Sequence, residues 1–223
     1  MDALTSARSD LAALSPDGFA DVLLGRPPRE ARATALGLVD NGVPPRSVYL
    51  NVLAPALEEV GSRWERGLVS VAQEHLATAV VSSIMATLAP RLEEPPSVGR
   101  RAVLASTDGE MHVVGLRMVG DFLEADGWEV LFIGAVTPGA DLARLVGETR
   151  PDAVCLSTTL TTHLVAAAAT VAMLKALPDA PVVLVGGHAY GGDADRARAL
   201  GADGFASDAG AASRFLRELF GHA

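Results

Sequence analysis

The sequence predicts an α + α/β protein, with an N-terminal four-helix bundle followed by a doubly wound, parallel, five-stranded sheet. Three observations predict it. Up to about residue 90, apolar residues recur at helical spacing between Pro and Gly punctuation. Glu93-Glu94-Pro95-Pro96-Ser97 then has the composition of a linker. Beyond it, short apolar runs alternate with amphipathic helical stretches, the pattern of βαβ units. The expected division is 1–94 for the helical domain, 95–99 for the linker and 100–223 for the α/β domain.

The helices come first. Leu11, Leu14, Phe19, Val22 and Leu23 carry the first stripe, interrupted at Ser15-Pro16. Pro27-Pro28 opens a second helix that stops at Asn41-Gly42. Pro44-Pro45 opens a third, with an apolar stripe of Val48, Val52, Leu53, Ala56, Leu57 and Val60 running to Trp64 and Gly67. Ser70 starts the fourth, with Gln73 placed to complete a capping box. Four helices in this length form a bundle.

The strands follow as Ala102–Ser106, Val130–Ile133, Ala153–Ser157, Val182–Val185 and the short run Gly204-Phe205-Ala206, before a last helix ending near Phe220. Five such strands fit a flavodoxin- or Rossmann-like sheet, whose ligands sit beyond the carboxyl ends of the strands.

Composition narrows the function. The chain has 223 residues, 49% of them hydrophobic and 20% charged, which is enough for a sizeable core. Net charge is −9 and both halves share it: residues 1–96 carry 8 basic and 12 acidic side chains, residues 97–223 carry 10 and 15. Lys175 is the single lysine, so a nucleic-acid-binding face is not expected. Cys155 is the single cysteine, which excludes an internal disulfide and fits a reducing cytoplasm. No long uncharged apolar run predicts a membrane span.

Three segments carry chemistry at the predicted ligand edge. Glu110-Met111-His112, with Gly115 three residues further on, follows the first strand. A neutral imidazole is a good metal ligand, and a carboxylate two residues away can hold its other ring nitrogen. Gly115 gives a bulky ligand room near the backbone. Ser157-Thr158-Thr159-Leu160 follows the third strand and Gly186-Gly187-His188 the fourth. Each has an ordinary explanation as a turn, a cap or a solvated histidine. Three permissive loops at one sheet edge are less ordinary than any one of them.

A fourth segment lies in the bundle, where nine residues separate Trp64 from Glu74-His75, across a short turn between two helices. Alone, Trp64 would be read as core packing and Glu74 as an acid favoured at a helix N-terminus.

Taken together, these segments resemble the cobalamin-binding Rossmann-like family, with its Asp-x-His-x-x-Gly, Ser-x-Leu or Ser-x-Thr, and Gly-Gly motifs. Glu110 stands where most members have Asp, and Glu-x-His-x-x-Gly is the variant of the CarH-type light-sensing branch. Trp-x9-Glu-His resembles the cap domain of that same branch, so the likeness spans about residues 20 to 215. It implies that His112 is the lower axial ligand of cobalt, replacing the cofactor's own base, with Glu110 as its partner. It also implies that Ser157, Thr159, Gly186 and Gly187 line the slot for the displaced nucleotide tail, with Leu160 a further cofactor-binding residue. Trp64, Glu74 and His75 would contact the upper ligand of adenosylcobalamin held between cap and α/β domain. Two departures stand out. Family repressors often have a histidine after the tryptophan, where this chain has Glu65. They also carry a DNA-binding module before the cap, for which the acidic first twenty residues here are too short.

The resemblance therefore implies a free-standing light sensor, not an enzyme, in which Co–C photolysis changes conformation or oligomeric state and signals to a protein partner. A homo-oligomer such as a dimer is expected, with no direct nucleic-acid or membrane contact. Some free-standing relatives also bind biliverdin; with Cys155 in a buried strand, a bilin here would be non-covalent. The competing reading is a corrinoid carrier subunit of a methyltransferase, which shares the plan and the axial histidine. A mutase cofactor subunit, or a flavodoxin-like domain without a corrin, fits less well. His75, His112, His163, His188 and His222 show no zinc-like spacing.

Overall fold

The computed structural model describes residues 16–93 and 95–221; Leu11, Leu14, Ser15, Glu94 and His222 of the readings above lie outside them. The chain divides into two compact units between Leu92 and Glu93.

The first unit is helical. α1 spans Pro16–Gly25 and α2 spans Pro28–Asp40. Pro27 is the N-cap of α2 and Pro28 opens it, where a missing N–H costs nothing. Asn41 and Gly42, the latter at φ +92°, end it by donating back to Gly37 and Val39. α3 (Pro45–Val48) continues through a π-helical turn, Tyr49–Leu53, into α4 (Ala54–Glu65). The π turn has a local cause. Pro55 has no N–H to give to the carbonyl four residues back, so the ladder slips by one residue just before it. α5 spans Val71–Leu88, and its capping box between Ser70 and Gln73 is complete.

α1 packs on α4, α2 on α5, and α4 on α5. Their shared core holds Phe19, Tyr49, Leu53, Val60, Val81, Ile84 and Leu88, all buried. The Tyr49 hydroxyl donates to the Met85 carbonyl at 3.1 Å, which lets a phenol sit in that core. At the surface Arg63 reaches Asp21 at 2.5 Å and Glu59 at 2.6 Å, tying α1 to α4.

The second unit is a five-stranded parallel sheet in the order β2-β1-β3-β4-β5. The strands are β1 (Arg101–Ser106), β2 (Glu129–Gly134), β3 (Ala153–Ser157), β4 (Val182–Gly186) and β5 (Gly204–Ala206). α6 (Val114–Glu124), α7 (Gly139–Thr149), α8 (Leu164–Lys175), α9 (Ala194–Ala199) and α10 (Ala209–Phe220) connect and close them. Alternate residues face opposite helical layers. Val103, Ala105, Val154, Leu156, Val183 and Val185 join Leu142, Val146, Val171 and Leu174 of α7 and α8. Ala102, Leu104, Ala153, Cys155 and Leu184 join Leu116, Leu123 and Leu216 of α6 and α10. Cys155 is thus core, and burial pushes its thiol up to about 12.

This order is flavodoxin-like, and it places the topological switch between β1 and β3. Ser106 pairs with Ser157 at the carboxyl ends of those two strands. The loops that follow them are therefore brought to one edge although about fifty residues separate them. Among the described residues no helix is long and apolar enough to cross a membrane.

Candidate cofactor site

The site is built on the loop after β1. The Ser106 hydroxyl closes it, sharing its one proton between the Glu110 carbonyl at 2.8 Å and the Gly134 carbonyl at 3.2 Å. Glu110 N–H returns to Thr107 O at 2.8 Å, with Gly109 at φ +81° making the turn. These bonds turn the Glu110 side chain inward, and it has no solvent exposure.

A buried carboxylate needs donors, and the described residues supply five N–H groups. Oε1 accepts from His112 Nδ1 at 2.5 Å and from the His112 backbone N–H at 3.2 Å. Oε2 accepts from the backbone N–H groups of Thr159 at 2.9 Å and Leu160 at 3.0 Å, and from His163 Nδ1 at 3.1 Å. Burial raises this carboxyl; the donors of Leu160, His112, His163 and Thr159 outweigh it and hold it down at about 2.

An ionised carboxylate accepts only, so the bonded Nδ1 of His112 must carry the proton. In the neutral ring Nε2 is then the lone-pair nitrogen, and it has no partner among the described residues. The ring is 48% exposed while the carboxylate beneath it is at 0%. That is the arrangement of an imidazole presented outward to a metal and fixed from behind.

The neighbours of His112 fit a flat apolar ligand. Met111 is 75% exposed, and Val136 and Leu160 are exposed apolar residues on the adjoining loops. Val136 holds φ +54°, a costly conformation for a β-branched residue, and its N–H donates to Glu110 O at 3.2 Å. A Cβ on Gly115 would meet nothing within 4 Å, so there is open room at this position, three residues after His112. Ser157 and Thr159 are half-buried at the start of the loop after β3. No group of three or more His, Cys, Asp or Glu among the described residues forms a metal cage. A single imidazole suits a metal that brings a macrocycle of its own.

Two expected ligand-slot glycines have another explanation. A Cβ on Gly187 would stand 2.2 Å from Thr158 O, and its φ is +107°. A Cβ on Gly186 would stand 2.7 Å from Ala206 O. The chain's own backbone demands both. Beside them, Thr158 Oγ1 meets Thr107 Oγ1 at 2.7 Å and Tyr190 Oη at 3.4 Å, a buried hydroxyl chain joining the loops after β1, β3 and β4.

In the helical unit, Trp64 is 41% exposed on the last turn of α4 and does not serve as core. Glu74 and His75 lie in the first turn of α5, across a turn closed by Gly67 N–H to Trp64 O and Leu68 N–H to Arg63 O. Glu74 accepts from Thr78 Oγ1 at 2.9 Å and has His75 Nε2 at 3.5 Å. Leu68, Val71 and Leu76 add exposed apolar surface on this same part of the chain.

Sequence reasoning missed His163. It lies 53 residues from Glu110 in a 3-10 turn, Thr161–His163, outside every motif. The available signal was its place in the loop after β3, beside the loop after β1.

An α/β domain that offers one fixed imidazole beside open space has the makings of a metallo-macrocycle binder. The comparisons agree. A B12 binding domain model matches residues 100–214, just over half of the chain, and a second B12 binding domain model matches residues 19–89. The chain belongs to the B12 binding domain family. It is similar to the HTH-type transcriptional repressor CarH of Myxococcus xanthus, 38% identical over 148 residues that cover 66% of this chain and 49% of that protein. The chain thus spans about half the length of that relative. It is also similar to the dimethylamine corrinoid protein of Methanosarcina barkeri, 28% identical over 194 residues, covering 83% of this chain and 90% of the other. Among solved structures, the Methanosarcina barkeri monomethylamine corrinoid protein matches with TM-score 0.81 and 20% identity, over 90% of this chain and 96% of that one. At that identity the likeness shows the fold alone.

The two kinds of glycine should behave oppositely. Gly187→Ala should lose on the order of 3 kcal/mol, from left-handed strain plus collision with Thr158 O. Gly115→Ala should be neutral or gain up to ~1 kcal/mol, because it adds a helix-favouring residue in open space. Urea unfolding of both variants checks this; equal stabilities would contradict the assignment.

Proposed function

We propose that this chain is a cobalamin-binding light sensor that holds adenosylcobalamin with its own base displaced and His112 beneath cobalt. The observation that carries the reading is His112 itself, half exposed, with Nδ1 committed to a buried carboxylate and Nε2 free of protein partners among the described residues. Bound adenosylcobalamin would supply a cobalt–carbon bond that light can break. The residues do the rest. Glu110 holds the ring and its tautomer. Met111, Val136 and Leu160 offer an apolar platform. Ser157 and Thr159, with the open ground at Gly115 and the side-chain-free backbone at Gly186 and Gly187, receive the displaced tail.

Trp64, Glu74 and His75 are assigned to the upper ligand, the indole covering it and the polar pair bonding its ribose. An exposed tryptophan that the helical core does not need supports this. Loss of those contacts after illumination biases a two-state arrangement, read by a protein partner or by a second copy of the chain. Glu65, not a histidine, follows Trp64, so no imidazole at that position is available as a second cobalt ligand. A bilin bound as a second chromophore would be non-covalent, since the Cys155 thiol is buried.

A second reading, a corrinoid carrier for methyl transfer, is favoured by one observation: the match to the dimethylamine corrinoid protein covers 83% of this chain and 90% of that protein. The preferred upper ligand separates the two, 5′-deoxyadenosyl for the sensor and methyl for the carrier.

His112→Ala should weaken cobalamin binding and abolish the spectral shift that marks a histidine under cobalt; the absorption spectrum of the loaded protein reads this directly. An unchanged affinity and spectrum would remove His112 from the metal. Trp64→Ala should keep corrin binding and lose its preference for adenosylcobalamin over methylcobalamin. Competition titrations in the dark measure it, and equal discrimination by both proteins would leave Trp64 without that role.

A further inference from the structure

Among the described residues, Val136 and Arg150 alone take a left-handed backbone without being glycine. Arg150 ends α7, a usual place for that conformation. Val136 lies in the loop after β2, with φ at +54° and 51% of its surface exposed. We propose that Val136 is a contact residue for the bound macrocycle, and that the chain gives up stability at this position to present its branched apolar side chain to the ligand. The proposal deepens the reading of a cobalamin site and rests on it.

The fold accounts for the backbone at 136 and not for the side chain. At one end of the loop, Gly134 O accepts from Ser106 Oγ at 3.2 Å. At the other, Pro138 caps α7 and keeps Thr137 before it out of the helical region. Between them, Val136 N–H donates to Glu110 O at 3.2 Å. These restraints leave position 136 left-handed whatever residue stands there. Glycine or asparagine takes that conformation at little cost; a side chain branched at Cβ crowds its own backbone and takes it worst. Burial does not offset the crowding, since Val136 is exposed apolar surface and not core. Strain of this kind gathers where a ligand is clamped. The carbonyl that holds Val136 belongs to Glu110, in the segment that turns His112 outward, and Met111 beside it is exposed as well. The Val136 side chain has carbon alone to offer, so it suits the carbon skeleton of a corrin ring and not its amide fringe. A strained loop valine without a task is the ordinary alternative. It predicts that relieving the strain leaves ligand binding untouched.

The test measures stability and affinity in the same variants of the full chain. Without cobalamin, Val136→Asn should unfold at a higher urea concentration than the wild type, because asparagine relieves the strain. Titrated in the dark with adenosylcobalamin, Val136→Asn should bind about 10-fold more weakly, the worth of burying one valine side chain. Val136→Gly repeats the binding comparison with no side chain, and should lose a similar factor. Val136→Ile keeps the branch and the apolar surface, and should recover most of the affinity while staying strained. The loss in Val136→Asn should be the same with methylcobalamin, because Val136 is tied to the His112 loop and His112 lies opposite the upper ligand. A gain in stability joined to a loss of affinity is a pair that a merely structural defect does not give. A Val136→Asn protein that binds as tightly as the wild type, or that gains no stability, would overturn the proposal. Failure of the wild-type chain itself to bind any cobalamin would overturn the underlying reading of the site, and the proposal with it.

Discussion

An ionised carboxylate with no solvent exposure has to be met by hydrogen-bond donors, and Glu110 is met from two loops at once. His112 approaches from its own loop; Thr159, Leu160 and His163 approach from the loop after β3. A buried charge missing these partners would cost several kcal/mol. The same bonds that make the burial tolerable also set which nitrogen of His112 carries the proton. Burial of the charge and the orientation of the imidazole are thus tied to one group.

That meeting of loops depends on the strand order. β1 and β3 are neighbours because the chain winds one way to β2 and the other way to β4 and β5. Ser106 and Ser157 end up paired, and the residues after them share an edge. Backbone crowding follows. Thr158 O lies so close to Gly187 that no side chain fits there, and Thr107, Thr158 and Tyr190 fill the space below with a hydroxyl chain. Val136 takes a left-handed conformation while bonded to the Glu110 carbonyl. The loops after β1, β3 and β4 are thus crowded against one another, while Gly115 at the start of α6 has open space around it.

Much of this was legible in the sequence because it is local. Pro27-Pro28, Asn41-Gly42 and the Ser70–Gln73 box act within one helical turn, and each fixed a helix end where expected. The central strands β1, β3 and β4 were legible because burial on both faces requires short apolar runs. Glu110 and His112 are two residues apart, so their pairing could be read directly. His163 could not, since its partner is distant in sequence and only the β1–β3 pairing joins them. Gly186 and Gly187 pointed to a ligand when read alone; the neighbouring backbone that requires them is non-local too. Trp64 is the reverse case, a residue whose ordinary fate is burial and whose exposure only the packed unit reveals. The π turn before Pro55 arises from a local cause that periodicity alone does not resolve.

The central claim is that His112 Nε2 binds cobalt in place of the cofactor's own base. Electron paramagnetic resonance of the cobalt(II) form of bound cobalamin reads the nitrogen beneath the metal by its hyperfine splitting. With the protein's histidines labelled with ¹⁵N, the account predicts that each cobalt line splits into a doublet instead of the triplet given by ¹⁴N. A triplet that persists with labelled protein would show the cofactor's own nitrogen still bound, and would contradict the account.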